Sequence, residues 1–100
     1  MNIAAAAPSA RTLRLRIRGH VQGVGYRAAM AAVAHCLGVH GWVRNRRDGS
    51  VEALVSGAPA AVEQLLEWAG RGPSAARVAT LECHDDSAST GHGFEQRPTA

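Results

Sequence analysis

Apolar and polar residues alternate near the start of the chain and then change to a helical spacing. Leu13, Leu15 and Ile17 alternate with arginines, which is the period-two pattern of a strand with one buried face. A glycine-rich loop follows. Beyond Gly25, apolar residues recur at i, i+3, i+4 and i+7 as far as Gly38, a residue typical of helix ends. This part of the chain therefore predicts a strand, a loop and an amphipathic helix.

The middle of the chain predicts a hairpin followed by a second helix. Residues 39–46 and 50–55 are strand-like and are joined through Asp48-Gly49, a dipeptide that favours tight turns between antiparallel strands. Pro59 suits the first turn of a helix, and an apolar stripe at helical spacing follows it. We therefore expect the second helix directly after the hairpin.

The last part of the chain predicts one strand and leaves another open. Residues 77–83 are strand-like, and the residues expected on the apolar face are Ala79, Leu81 and Cys83. Residues 94–97 could add a short edge strand, but polar Gln96 stands where an apolar residue is expected. The order β-α-β-β-α-β predicts an α+β, ferredoxin-like sandwich, in which an antiparallel sheet carries both helices on one face.

The length of 100 residues corresponds to one domain. We expect a disordered Ala-rich leader over residues 1–11, the folded domain over 12–97 and a short tail over 98–100. No apolar stretch approaches the roughly 18 residues of a membrane span, and the leader lacks the basic and apolar regions of a secretory signal. The sequence therefore predicts a cytoplasmic protein that binds no membrane, and we expect a monomer.

All of the positive charge comes from arginine. Eleven basic residues and eight acidic ones give a net charge of +3, and none of the basic residues is lysine. The planar guanidinium can donate two hydrogen bonds to one phosphate group. The composition therefore favours anionic partners, from phosphates to nucleic acid.

The cysteines and histidines show no spacing typical of metal ligands. His35 and His84 are neighbours of Cys36 and Cys83, but neither cysteine lies in a C-x-x-C motif or in a Cys/His spacing typical of metal sites. The five histidines include no i, i+4 pair. A lone cysteine in an Ala-rich helix or an apolar strand is usually a small buried side chain. Two cysteines could also form one disulfide, but cytoplasmic proteins rarely contain disulfides. We therefore expect two buried free thiols, no metal and no other cofactor.

Three glycines lie between the first strand and the first helix. The segment Gly19–Arg27 reads G-H-V-Q-G-V-G-Y-R, and its glycines allow successive backbone amides to point at one anion. The following helix adds partial positive charge, and Arg27 lies in its first turn. The segment matches neither a Walker A loop nor a dinucleotide-binding fingerprint. A tight strand-helix connection with a surface arginine remains the alternative.

Asn45 is the candidate functional residue of the predicted hairpin. It lies near the end of a strand among three arginines, and its carboxamide is both a donor and an acceptor. The hairpin could place it opposite the glycine-rich loop. The alternative is a turn-forming asparagine, because asparagine is common in turns.

Both segments resemble signatures of the acylphosphatase family. The first signature is an apolar residue, any residue and then G-x-V-Q-G-V-x-aromatic-R, which Ile17 and Gly19–Arg27 match. The second is G-aromatic-V-R/K-N-x-x-x-G-x-V and a later glycine, which residues 41–57 match. The resemblance extends over residues 12–97, and the ferredoxin-like fold of that family agrees with the predicted elements.

The resemblance implies hydrolysis of acyl phosphates to a carboxylate and inorganic phosphate, with phosphate also acting as an inhibitor. Arg27 then holds the phosphoryl oxygens and Asn45 orients the attacking water. The backbone amides assigned to the same anion are those of Gln22, Gly23, Val24, Gly25 and Tyr26. The conjugate acid of the leaving carboxylate has a pKa of about 4, so the carboxylate departs without a general acid. Positioning and charge stabilisation then suffice without a metal.

The side chains of other polar and aromatic residues in these segments are expected to have no role in the chemistry. His20 is interpreted as a solvated loop residue, and Tyr26 and Trp42 as packing residues. The arginines after Trp42 are interpreted first as a solvated face that could also steer anions.

Two alternatives share the β-α-β-β-α-β order. An RNA-recognition motif needs stacking aromatic residues on its middle strands, where this chain has Arg14, Arg16 and Glu52, so no specific nucleic acid is expected. The second alternative is a domain that handles carbamoyl phosphate within a larger enzyme. The sequence argues against it, because the 100 residues contain no further domain.

Overall fold

The computed structural model describes residues 10–100, which form five strands and two helices. The strands are β1 (Arg11–His20), β2 (His40–Asn45), β3 (Val51–Gly57), β4 (Arg77–Asp85) and β5 (Phe94–Gln96). The helices are α1 (Tyr26–Leu37) and α2 (Pro59–Ala69). This order confirms the ferredoxin-like prediction. Most of the expected leader lies outside the described residues, and the predicted domain boundaries stay a prediction.

The sheet has the strand order β4-β1-β3-β2-β5. β3 pairs antiparallel with β1 and β2, and β4 pairs antiparallel with β1. The predicted antiparallel sheet is therefore confirmed for β1 to β4, and the exception is β5, which pairs in parallel with β2. The strand directions explain the parallel pairing of β5. β4 runs opposite to β1 and β2, so it ends at the end of the sheet where β2 begins. A strand that starts at this end and pairs with β2 runs in the same direction as β2.

The face of the sheet that carries the helices holds the core. Leu13, Leu15 and Ile17 of β1 are at most 1% exposed, which confirms the predicted alternation. The helices contribute the buried side chains of Tyr26, Met30, Ala31, Ala34, Val62, Leu65 and Ala69. Burying one large apolar side chain contributes roughly 1.5 to 3 kcal/mol, so this layer holds the helices on the sheet. In the described residues, neither helix is long and apolar enough to span a membrane.

β4 departs from its predicted pattern at a β-bulge. The register between β1 and β4 shifts between Arg18 and Gly19, which leaves Ala79 without a partner in β1. Val78 and Leu81, which are three residues apart, pack against the core, whereas Ala79 is exposed. The prediction of Ala79 on the apolar face is therefore wrong, because one extra residue reverses the alternation.

Both cysteines are free and exposed, so the prediction that they are buried is wrong. Cys36 lies two residues beyond buried Ala34, which is roughly 200° around the helix and therefore on the solvent side. Cys83 lies on β4, an edge strand whose side chains are mostly exposed.

Candidate active site

Three strand ends meet at one end of the sheet. β1 and β2 both pair antiparallel with β3 and therefore run in the same direction, and β5 runs parallel to β2. The glycine-rich loop follows β1, Asn45 ends β2 and Gln96 ends β5. The topology thus brings together residues that are up to about 75 positions apart in the sequence.

The loop after β1 is shaped by two glycines. Gly23 and Gly25 have φ values of 74° and 80°, a left-handed conformation that other residues rarely adopt. Gly25 is also the N-cap of α1, and no side chain caps this helix. The first backbone bond of the helix joins the amide of Ala29 to the carbonyl of Gly25 at 3.0 Å. The amides of the first turn therefore have no intrahelical acceptor and lie at the positive end of the helix dipole.

A cavity of about 110 Å³ opens beside this helix end. It is lined by Val21, Gly23, Gly25, Tyr26, Arg27, Ala28, Asn45 and Gln96. The two signature segments therefore meet in one cavity. A larger, mostly apolar cleft of about 360 Å³ between α1 and α2 contains none of these residues.

Some of the predicted site residues line this cavity and others do not. Five of them line it, namely Gly23, Gly25, Tyr26, Arg27 and Asn45. Gln22 and Val24 are not among the lining residues, and Val24 packs against the core. Sequence reasoning missed Val21, Ala28 and Gln96. A signal for Gln96 existed, because it is a polar residue where the strand pattern calls for an apolar one.

Arg27 is half-buried and belongs to none of the ion pairs among residues 10–100. Arg44 and Arg46, the arginines that flank Asn45, contact the carboxylate of Glu52 at 2.9 and 3.4 Å. Their charge is therefore compensated within the protein, whereas that of Arg27 is available to an anion. The helix dipole adds to the same positive potential.

Asn45 has a buried side-chain oxygen, Oδ1, that forms no hydrogen bond within residues 10–100. A buried acceptor without a partner costs roughly 1 to 3 kcal/mol. Such a cost is typical of groups reserved for a ligand or a water molecule. Its main chain is held by the β2–β3 pairing opposite Val51 and by the amide of Ala100, which donates to the Asn45 carbonyl at 3.0 Å.

The hairpin that follows Asn45 is held at two points. The Nε2 of Gln22 donates to the carbonyl oxygens of Arg46 and Ser50 at 2.8 and 2.9 Å. The carboxylate of Asp48 accepts bonds from the hydroxyl and the amide of Ser50 at 2.6 and 2.9 Å. These two bonds lower the pKa of Asp48 to about 2. The hairpin is thus attached to the glycine-rich loop and closed by its own carboxylate.

Two aromatic residues of the signature segments pack within the fold. The hydroxyl of Tyr26 donates to the carbonyl of Ala69 at 2.7 Å, and burial raises the pKa of this hydroxyl. Trp42 is 6% exposed and lies on the sheet face away from the helices, where the guanidinium of Arg44 is 4.7 Å from its ring centre. His20 is exposed and lies outside the cavity.

The open face of the sheet is ionic rather than aromatic at its centre. Glu52 is 5% exposed and lies within 4 Å of the guanidinium groups of Arg14, Arg16, Arg44 and Arg46. The strands β1 and β3 therefore present charged side chains where an RNA-recognition motif would present stacking rings. Within residues 10–100, no group of three or more His, Cys, Asp or Glu side chains could hold a metal ion.

Comparison with known proteins gives one consistent family. The acylphosphatase family model matches residues 13–96. An acylphosphatase from Acidovorax sp. (strain JS42) is 57% identical over 88 residues, covering 88% of this chain and 91% of that protein. The crystal structure of acylphosphatase from Bacillus subtilis superposes with a TM-score of 0.82 at 30% identity, covering 89% of this chain and 99% of that one.

A larger protein contains a part with the same fold. The structure of full-length HypF matches 92% of this chain with a TM-score of 0.84, but at 20% identity and over 12% of its own length. This likeness shows the fold alone.

Proposed function

Because the chain belongs to the acylphosphatase family, and is therefore an enzyme that hydrolyses acyl phosphates, we propose specific roles for its site residues. Arg27 and the backbone amides from Gln22 through Tyr26 hold the phosphoryl group. Asn45 orients the attacking water. These proposals assign the steps of the family's reaction to particular groups of this chain.

One observation carries this proposal. A half-buried guanidinium without a carboxylate partner and a buried amide oxygen without a hydrogen bond line the same cavity, at the N-terminus of α1. The guanidinium and the first-turn amides complement the phosphoryl oxygens. The amide oxygen can accept a hydrogen bond from a water molecule. The cavity thus offers separate contacts to the electrophile and to the nucleophile.

The reaction needs little more from the protein. As the water oxygen bonds to phosphorus, the bond from phosphorus to the acyl oxygen breaks, and its electron pair leaves with the carboxylate. Both water protons remain on the phosphate, so no side chain has to keep a proton. The role of Arg27 and the amides is to stabilise charge on the phosphoryl oxygens in the transition state. Because the leaving group is a weak base, we propose that neither a general acid nor a metal is required.

The substrate range follows from the same reasoning. An alkyl phosphate ester would release a strongly basic alkoxide, and the proposed site supplies no acid to protonate it. We therefore propose that the enzyme acts on small acyl phosphates and fails on alkyl esters, and that inorganic phosphate competes for the same cavity.

The test measures phosphate release from acetyl or benzoyl phosphate in excess chelator, with an alkyl phosphate as the comparison substrate. We expect full turnover of the acyl phosphates, competitive inhibition by phosphate and no release from the ester. Loss of turnover on chelation, restored by a divalent metal, would contradict the proposed mechanism.

We also propose a cytoplasmic monomer. The buried stripes of both helices pack against the same sheet, which supports a self-contained fold. Sedimentation velocity and cell fractionation test these two points separately.

A further inference from the structure

We propose that Gln96 is a second catalytic contact, which holds the attacking water together with Asn45. This inference rests on the proposed role of Asn45. It concerns the end of β5, the short edge strand whose existence the sequence pattern did not decide.

The register of β5 places Gln96 beside the site. Gln96 is paired with Val43 of β2, and Asn45 lies two residues further along β2. Residues two apart on a strand share a face, and paired residues on neighbouring strands do the same. Val43 is fully buried on the helix side, so Gln96 and Asn45 also face that side. Strand spacing puts their Cα atoms roughly 8 Å apart, a distance at which two carboxamides can contact one water molecule.

The backbone around Gln96 is fixed while its side chain is uncommitted. The amide of Arg97 donates to the carbonyl of Val43 at 2.9 Å, and the amide of Ala100 donates to Asn45 at 3.0 Å. Within residues 10–100, the carboxamide of Gln96 forms no hydrogen bond. It nevertheless lines the cavity that also contains Arg27 and Asn45. A rigid strand end thus presents a polar group to the site.

The chemistry of the attacking water explains why a second amide matters. Water has two hydrogens, and a single acceptor at Asn45 Oδ1 leaves it able to rotate about that one bond. A second acceptor, Oε1 of Gln96, holds the other hydrogen and points a lone pair at phosphorus. Both protons end on the phosphate product, so neither carboxamide has to accept a proton, which carboxamides do poorly.

The decisive variant is Gln96→Met, which keeps the length of the side chain and removes the acceptor. We expect kcat for acetyl phosphate to fall roughly tenfold, the effect of one uncharged hydrogen bond lost in the transition state. KM, phosphate inhibition and the thermal midpoint should stay close to wild type. Glu95→Gln, a change at the neighbouring position on the opposite face, is the matched control and should change none of them.

Gln96→Glu supplies an independent readout. The carboxylate keeps an acceptor but adds negative charge next to the phosphoryl group, so phosphate inhibition should weaken at pH 7. It should recover as the pH falls below about 4.3, where a glutamate becomes neutral. Unchanged phosphate inhibition at pH 7 would place Gln96 away from the anion and overturn the inference.

Asn45→Ala, measured in parallel, separates this inference from the proposed function. If Asn45→Ala loses turnover while Gln96→Met keeps wild-type kcat, the inference about Gln96 is wrong and the role of Asn45 stands. If Asn45→Ala keeps full turnover, both are wrong. A fall in kcat of Gln96→Met that merely follows a loss of thermal stability also overturns the inference.

Discussion

The side chain of Gln22 donates a hydrogen bond of 2.8 Å to the backbone carbonyl of Arg46. Gln22 belongs to the loop that precedes α1, and Arg46 follows Asn45 directly, so this bond joins the two halves of the site. The same amide group reaches the carbonyl of Ser50 at 2.9 Å. The side chain of Gln22 therefore attaches the hairpin that follows Asn45 to the glycine-rich loop, apart from the role proposed for its backbone amide.

Replacement of Gln22 should affect both stability and turnover. Gln22→Ala removes the donor for two backbone carbonyls, which should lower the free energy of unfolding by about 1 to 3 kcal/mol. Gln22→Glu should behave similarly, because a carboxylate cannot donate these bonds. Urea unfolding and kcat are measured on both, with Gln64→Ala on the exposed side of α2 as the control. Wild-type stability and turnover of Gln22→Glu would show that these bonds are dispensable.

Arg27→Ala should weaken phosphate inhibition and also reduce turnover strongly. In the proposed role, its guanidinium contacts charge that is present in both the ground state and the transition state, so binding and rate should fall together. Arg27→Lys should recover little, because a point charge does not replace the planar pair of donors. Arg47→Ala, at an exposed arginine outside the cavity, is the control. An active lysine variant would contradict the assigned role.

Asn45→Ala should reduce turnover far more than phosphate affinity. Removal of one preorganised polar group at a reaction centre commonly costs about 10²- to 10³-fold in kcat. The hairpin should survive, since Gln22 and Asp48 hold it through other residues. Turnover, phosphate inhibition and thermal unfolding are measured on the same preparation. Turnover that decreases only in proportion to lost stability would return Asn45 to a turn-forming role.

Glu52 should make stability depend on pH. Burial disfavours its charged form, but hydrogen bonds from Arg44 and Arg14 outweigh that effect and lower its pKa. A lowered carboxyl pKa stabilises the fold above the unfolded value of about 4.3, and this contribution disappears as the pH falls through the folded pKa. Glu52→Gln should therefore cost roughly 1.5 to 3 kcal/mol at pH 7, the range for hydrogen bonds to charged groups.

The difference in unfolding free energy between wild type and Glu52→Gln should itself depend on pH. Wild type and Glu52→Gln should begin to converge in unfolding free energy as the pH falls below about 4.3, where the unfolded state binds the proton. The convergence is complete only below the lower pKa of the folded state, where the folded carboxylate is protonated as well. Urea unfolding from pH 3 to 7 measures the difference. A difference that stays constant over this range would mean that the charge of Glu52 does not stabilise the fold.

Binding of nucleic acid should be weak and independent of sequence. The arginines of the open sheet face are largely paired with acidic residues, and contacts to phosphates are screened by salt. Fluorescence anisotropy with several RNA sequences across a salt series tests this. Tight binding of one sequence at high salt would favour an RNA-binding role.

The sequence by itself determined the elements and their chemistry-bearing segments. The alternation of Leu13, Leu15 and Ile17, the helical stripe that ends at Gly38, and the Asp48-Gly49 turn are local patterns, and the structure places a strand, a helix and a hairpin there. Such patterns are reliable because the side chains that face the core recur with the period of the strand or helix, and this period can be seen in the sequence alone. The two signature segments were found for the same reason, since each is continuous in the sequence.

Only the tertiary structure decided which distant segments are neighbours. The parallel pairing of β5 with β2 brings Gln96 to the site, and the bulge at Ala79 exposes a residue that alternation would bury. The bonds from Gln22 to the hairpin and the arginines around Glu52 likewise join residues far apart in the chain. Such contacts depend on the order and direction of the strands in the sheet, and no periodicity within a single strand encodes that order.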